Sequence, residues 1–271
     1  MPMSISTHRV YRPAHVEFRQ RNTGFADVYA AAVESVPNSA WRPRDFLLAM
    51  AGGLIGVIVV GLPILAAGGE TDELIVLGSI GQFSGHVAAV WWLARTRGGA
   101  ASLGFQVEPW DGIYLLVGVG LQVVLPLLVA PVAALVGDGQ TGQEVADQIR
   151  LLGGTAARVA MAGVVTILAP IAEELMFRGV LLKSLSAGGI RRASLITAAC
   201  FSGYHLFGLT GDLLTGVILL FPMFLLVGLL LARVTVRRGR LGPAIFIHSG
   251  FNLLAVVVLL IPPELLEQAS A

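Results

Sequence analysis

Long runs of apolar residues are the feature that most restricts the fold of this chain. A transmembrane α-helix needs about 20 mostly apolar residues to cross the hydrocarbon core of a bilayer. Seven segments meet or approach this length: residues 46–67, 73–94, 112–136, 156–185, 193–209, 213–234 and 241–261. We therefore expect an all-α fold, a polytopic membrane helix bundle of about seven transmembrane helices.

Composition supports a membrane domain. The chain of 271 residues is 55% hydrophobic and 13% charged, whereas soluble domains carry about 25% charged residues. Its net charge of +1 gives no indication of nucleic-acid binding. The fourth segment is longer than a bilayer requires and contains Pro170, so we expect a kink or an exit from the membrane there.

The distribution of charge predicts an orientation. If the N-terminus is inside, every inside connection is rich in Arg or Lys and the outside connections are mainly acidic, as the positive-inside rule requires. The inside residues are then Arg42, Arg44, Arg95, Arg97, Lys183, Arg191, Arg192, Arg233, Arg237, Arg238 and Arg240. We expect an integral membrane protein with a cytoplasmic N-terminus and an outside C-terminus, in the plasma membrane if the source is bacterial.

Two terminal segments flank the predicted spans. Residues 1–45 are interpreted as a cytoplasmic tail, and residues 263–271 as a C-terminal tail. Within the first tail, apolar residues that share one helical face favour a short interfacial helix. They are Phe25, Val28, Tyr29, Ala32 and Val33. A tail without ordered structure is the alternative interpretation.

Polar side chains interrupt three of the spans. A charged residue at the bilayer centre costs at least about 2.5 kcal/mol, so each one needs a structural or functional reason. The set consists of Glu173, Glu174, Arg178, His205, His248 and Asn252. His86, in the second span, is instead interpreted as a packing or interhelical hydrogen-bonding residue.

Spacing along the helices divides this set. Glu174 and Arg178 are four residues apart and can form an ion pair on one face. Glu173 lies about 100° around the same helix and has no local cation. His248 and Asn252 are also four residues apart, so they present two polar groups on one face.

The remaining residues are predicted to lie at similar depths in the membrane. At about 1.5 Å per residue, Glu173, His205 and His248 lie roughly 10–20 Å from the cytoplasmic ends of their spans. They could therefore surround one water-filled cavity on the cytoplasmic side. A carboxylate and an imidazole can deprotonate water, and a second imidazole with an amide can stabilise an oxyanion. This inventory fits hydrolysis of an amide bond.

Three short motifs at these positions resemble those of a known family. Two glutamates, three residues and an arginine stand at 173–178 as EELMFR, an aromatic residue four before a histidine stands at 201–205 as FSGYH, and a histidine four before an asparagine stands at 248–252 as HSGFN. The sequence thereby resembles the CAAX-processing and bacteriocin-processing (CPBP) intramembrane proteases, which are similar to type II CAAX prenyl endopeptidases.

The resemblance implies a membrane endopeptidase whose site opens toward the cytoplasmic side. The transmembrane protease domain would comprise residues 46–262, with a motif-bearing core at 155–255. Water activation is then assigned to Glu173 and His205, and oxyanion stabilisation to His248 and Asn252. Glu174 and Arg178 would be structural or supporting residues. The expected partners are a membrane-associated peptide or protein substrate and the lipid bilayer, with no nucleic acid.

Substrate, function class and cofactor stay open at this point. Family members process prenylated C-terminal motifs, peptide pheromones or bacteriocin precursors, or confer bacteriocin immunity, and the sequence does not choose among these. An ion-coupled transporter is an alternative, because intramembrane Glu, His and Arg also form proton relays. A non-catalytic membrane scaffold or immunity protein is another.

Metal dependence is equally open. Two histidines and a glutamate are the ligands of many catalytic zinc sites, so zinc, if present, would be bound by Glu173, His205 and His248. A metal-free site is slightly favoured, because Asn252 then has a role at the oxyanion.

Overall fold

The computed structural model describes residues 40–136 and 141–261. The two tails, including the expected interfacial helix at 25–33, lie outside the described residues except for positions 40–45. The described elements, in chain order, are α1 (Pro43–Ala66), α2 (Thr71–Ala94), α3 (Gly99–Leu103), a 3-10 turn (Pro109–Ile113), α4 (Tyr114–Val136), β1 (Thr141–Gln143), α5 (Glu144–Leu151), α6 (Thr155–Gly188), α7 (Ile190–Leu206), β2 (Leu209–Gly211), α8 (Leu213–Arg238) and α9 (Gly242–Leu260).

Six helices in the described part of the chain are long and apolar enough to cross a membrane. They are α1, α2, α4 with its preceding 3-10 turn, α6, α8 and α9. The predicted fifth span corresponds to α7, which has 17 residues. The predicted fold class, an all-α polytopic bundle of about seven helices, is confirmed.

Apolar side chains cover the outer surface of the bundle. On α1, Leu54 and Val59 are each 64% exposed, and on α4 Leu116 and Leu127 are similarly exposed. A soluble domain rarely leaves so large a continuous apolar surface uncovered. These helices therefore identify an integral membrane protein.

Close glycine contacts join α1 to α2. A Cβ atom at Gly56 would overlap the carbonyl group of Gly81, so only glycine allows this approach. The buried His86 Nδ1 lies 2.9 Å from the carbonyl oxygen of Ala49 across the same contact. The expected interhelical role of His86 is confirmed.

The two ends of the bundle differ in charge. At one end, which carries the basic residues, Arg97 pairs with Asp45 at 2.9 Å and Arg240 pairs with Asp111. At the opposite end, the short strands β1 and β2 pair in antiparallel register, with Gly142 opposite Thr210. We call these the basic end and the hairpin end. The candidate site lies between them, within α6, α7 and α9.

Candidate active site

Helix α6 contains two stretches of π-helix. They occupy Val164–Leu168 and Leu175–Leu181, and the α-helical turn Ala169–Glu174 lies between them. Such wide turns occur often at functional sites, because they change the direction in which the following side chains point. The first of these stretches ends two residues before Pro170, where a kink or an exit from the membrane was predicted. Glu173 and Glu174 therefore lie on an α-helical turn that has a π-helical stretch on each side.

Asn252 completes the first wide turn. The N–H of Ala169 bonds to the carbonyl of Val164, five residues earlier, so the same pattern would join residue 170 to Val165. Residue 170 is a proline and has no N–H, which leaves the Val165 carbonyl without that donor. The side-chain Nδ2 of Asn252 donates to this oxygen at 2.9 Å. One of the two amide hydrogens of Asn252 is therefore used in holding α6.

A buried ion pair lies behind the site. Arg178 Nη1 donates to Glu174 Oε1 at 2.9 Å, and both side chains are fully buried. Arg178 Nη2 donates to the carbonyl oxygen of Gly228 at 3.1 Å, and its guanidinium lies 4.5 Å from the centre of the Phe201 ring. The ion pair predicted from the i, i+4 spacing is present, and Arg178 also joins α6 to α7 and α8.

Glu174 also orients one of the histidines. Its Oε1 lies 3.0 Å from His248 Nδ1. A carboxylate oxygen can only accept, so Nδ1 carries the hydrogen, and in a neutral ring Nε2 is then an acceptor. The carboxylate thus fixes both the ring orientation and the tautomer of His248.

The other histidine is fixed in the same way. His205 Nδ1 lies 2.9 Å from the carbonyl oxygen of Phe201, so it also carries the hydrogen. The imidazole lies between two aromatic rings, with centroid distances of 4.5 Å to Phe201 and 4.3 Å to Phe224. Packing between these two rings therefore determines the direction in which His205 Nε2 points.

Glu173 faces both of these nitrogen atoms. Its Oε2 lies 3.8 Å from His205 Nε2 and 3.7 Å from His248 Nε2, and the residue is only 5% exposed. Among the described residues, this oxygen has no hydrogen-bond partner. Three acceptor atoms facing one another in a buried site are unfavourable unless a proton or a bridging species lies between them. The structure thus brings together Glu173, His205 and His248, which are far apart in the sequence.

The spacing of these three residues does not match that of a zinc site. Bonds of about 2.0–2.1 Å in tetrahedral geometry place two ligand atoms about 3.3 Å apart, and the observed oxygen–nitrogen distances are 3.7 and 3.8 Å. No group of three His, Cys, Asp or Glu in the described ranges is arranged to hold a metal ion.

A cavity of about 830 Å³ adjoins this cluster. Glu173, His205 and Asn252 line it, whereas His248, Glu174 and Arg178 are not among its lining residues. The wall continues through α5 to Gly208, at the hairpin end. In the orientation predicted from charge, this end faces outside. The cavity lining therefore extends to the end opposite to the expected cytoplasmic opening, and both the orientation and the opening stay predictions.

Several uncharged polar residues of the cavity were not identified from the sequence. Gln82 Nε2 donates to the Tyr204 hydroxyl at 3.3 Å, which joins α2 to α7 at the cavity wall. Gln122 and Gln143 also line it. The cost of burial that distinguishes ionisable side chains also applies to carboxamides inside apolar spans, and on that basis Gln82 and Gln122 are predictable as well.

Comparison with known proteins confirms the resemblance. Residues 155–254 match the family model described as type II CAAX prenyl endopeptidase Rce1-like, and this segment contains all six residues of the predicted set. At the level of the family, the match supports a CAAX-type intramembrane protease, a hydrolase. Neither the curated proteins nor the solved structures provided a match to the chain.

Proposed function

We propose, on the premise of this family match, that the protein is an intramembrane endopeptidase acting on a membrane-associated peptide or protein. One observation carries the proposal. The buried, unbonded Oε2 of Glu173 faces two imidazole nitrogens at the wall of a cavity of about 830 Å³. Cavities of about 300–1,000 Å³ are typical of binding sites for small ligands, so a short segment of a substrate can enter.

Glu173 and His205 are proposed to activate the water. A water molecule between Glu173 Oε2 and His205 Nε2 can donate one hydrogen bond to each acceptor. As its oxygen attacks the scissile carbonyl carbon, one proton passes to Glu173. The same proton is later delivered to the leaving nitrogen when the C–N bond breaks, which yields a carboxyl group and an amine.

His248 and Asn252 are proposed to stabilise the oxyanion. His248 can donate from Nε2 only when both ring nitrogens carry hydrogens, with Nδ1 then donating to Glu174 Oε1. Asn252 has one amide hydrogen left after its bond to Val165. Donors held in a fixed position in this way stabilise developing negative charge.

Glu174 and Arg178 are proposed to support the site without touching the substrate. Arg178 offsets the charge of Glu174, and Glu174 in turn orients His248. A metal step is not included, since the donor atoms are too far apart for zinc in this structure.

Substitution of Glu173 tests the proposal. Purified protein in lipid nanodiscs is incubated with a library of membrane-associated peptides, and products are identified by mass spectrometry. Glu173→Gln should lower the rate at least about 100-fold, the usual contribution of a general base. Glu70→Gln, an exposed carboxylate outside the cavity lining, is the matched control. Unchanged cleavage by Glu173→Gln would exclude the water-activation role, and no cleavage by wild type would favour a transporter or a scaffold.

A further inference from the structure

The charged residues in the cavity wall are nearly all acidic. Its lining includes two carboxylates, Glu144 and Glu173, and His205. No Lys or Arg belongs to the lining that the structure describes. The chain segments 137–140 and 262–271, which adjoin this end of the bundle in the sequence, also contain no Lys or Arg.

The two carboxylates occupy different depths. Glu173 is 5% exposed and its Oε2 has no partner among the described residues. Glu144 is exposed at the start of α5, where its Oε1 accepts a hydrogen bond from Gln148 Nε2 at 3.0 Å. A substrate that enters past α5 therefore meets one carboxylate at the rim and another at the reacting centre.

The connections around the rim of the cavity also carry mainly negative charge. In the connections of the hairpin end, the described residues 67–75, 141–158 and 207–215 include six carboxylates and two arginines. Arg150 pairs with Asp147 at 3.2 Å, and Arg158 Nε donates to the carbonyl oxygen of Leu152 at 2.7 Å. Clefts lined by one sign of charge concentrate ligands of the opposite sign. This rim is therefore suited to a cationic ligand.

The rest of the polar wall is neutral. Gln82, Gln122, Gln143 and Asn252 each have an amide donor and acceptor, which can bind the N–H and C=O groups of a peptide backbone. A free carboxylate, by contrast, would enter next to Glu173 with no Lys or Arg in the described lining to pair with, and burying an unpaired charge is costly.

We propose that the substrate is a cationic, membrane-associated peptide that is cleaved at an internal bond. The segment that enters the cavity is uncharged or cationic and carries no free carboxylate. This inference rests on the proposed function and names its substrate class. It differs from recognition of a free C-terminus, for which the described lining of the cavity provides no Lys or Arg. Glu144 is then a residue that determines specificity.

Binding of three synthetic peptides tests the inference without requiring cleavage. They share one apolar core of eight residues with amidated C-termini, and are flanked by Lys, Gln or Glu. Binding is measured by fluorescence anisotropy to the His205→Ala variant, which retains both carboxylates, in nanodiscs of zwitterionic lipid. The Lys peptide should bind about fivefold tighter than the Gln peptide, and the difference should decrease at high salt.

Variants locate the source of the preference. Glu144→Gln should remove most of the difference between the Lys and Gln peptides, whereas Glu70→Gln at the same end should leave it within about twofold. A Gln peptide with a free carboxylate directly after the core should bind more weakly than its amide. Equal binding of the Lys and Gln peptides, or tighter binding of the Glu or free-carboxylate peptide, would overturn the inference.

Cleavage of the same peptides by wild type separates the two proposals. Cleavage without a preference for the Lys peptide contradicts the substrate class and leaves the peptidase function intact. Preferential binding of the Lys peptide without any cleavage contradicts the peptidase function and leaves the charge preference of the cavity intact.

Discussion

Asn252→Ala is expected to destabilise the protein by removing the donor to the Val165 carbonyl. The cause is Pro170, which cannot provide the N–H that the wide turn of α6 would otherwise use. A buried carbonyl left unpaired costs about 1–3 kcal/mol. Side-chain hydrogen bonds between membrane helices average nearer 0.6 kcal/mol. We therefore expect a loss of about 1 kcal/mol in the free energy of unfolding.

Pro170→Ala should reduce that loss. Alanine restores an N–H at position 170 that can bond to the Val165 carbonyl, so the side chain of Asn252 is no longer its only donor. In the Pro170→Ala background, Asn252→Ala should cost only a few tenths of a kcal/mol. The coupling energy of the double-mutant cycle should then be about 0.5–1 kcal/mol, which is typical of residues that share a partner.

Denaturation in mixed micelles measures each free energy. The matched control is Pro63→Ala, because Pro63 also lies inside a transmembrane helix but belongs to α1. Its effect should add to that of Asn252→Ala within about 0.3–0.5 kcal/mol. Additivity in the Pro170 cycle as well would refute the explanation. Cleavage rates add a second result: if Asn252 acts only by holding α6, Pro170→Ala restores activity to Asn252→Ala, and if it binds the oxyanion, activity stays low.

Three further perturbations have defined outcomes. Arg178→Ala should lower the unfolding free energy by about 3–5 kcal/mol, because it leaves Glu174 buried without its cation; a loss below about 1 kcal/mol in the same micelle titration would contradict this. Strong chelation should leave cleavage unchanged in purified protein that contains less than one equivalent of metal, whereas activity lost on chelation and restored by zinc would identify a metalloprotease. Reporter fusions should show alternating sides along the chain, with the N-terminus inside, and two consecutive fusions on one side would remove a span. The sites are Gly68, Gly98, Gly139, Gly188, Thr210 and Gly239.

The sequence was sufficient to predict the helices and the grouping of the charged residues. Apolar length predicts a membrane helix because the bilayer thickness is fixed, and the i, i+4 spacing predicts the pair Glu174–Arg178 because helix geometry is fixed. Because polar groups are costly in lipid, the sequence also predicts a structural or functional role for Glu173, His205 and His248. These rules depend on local geometry or on the solvent, so no knowledge of tertiary packing is needed.

Other features of the site depend on tertiary packing and were not predicted. The hydrogen bond from Asn252 to Val165 requires a wide turn that no short pattern specifies, although Pro170 indicates a distortion. The i, i+4 spacing placed His248 and Asn252 on one face, yet Asn252 lines the cavity while His248 Nδ1 bonds to Glu174. The part played by α5 in the cavity wall depends on how β1 pairs with β2.

The two π-helical stretches also affect how related sequences should be aligned. A π turn holds one residue more than the α-helical turn it replaces, so Val164–Leu168 behaves as a single-residue insertion within α6. Deleting one residue there would preserve the spacing of EELMFR while rotating Glu173 by about 100° relative to the N-terminal half of the helix. A relative can therefore retain every motif residue and yet direct its first glutamate away from the cavity. The number of residues between Thr155 and Glu173 is consequently as informative as the motif itself.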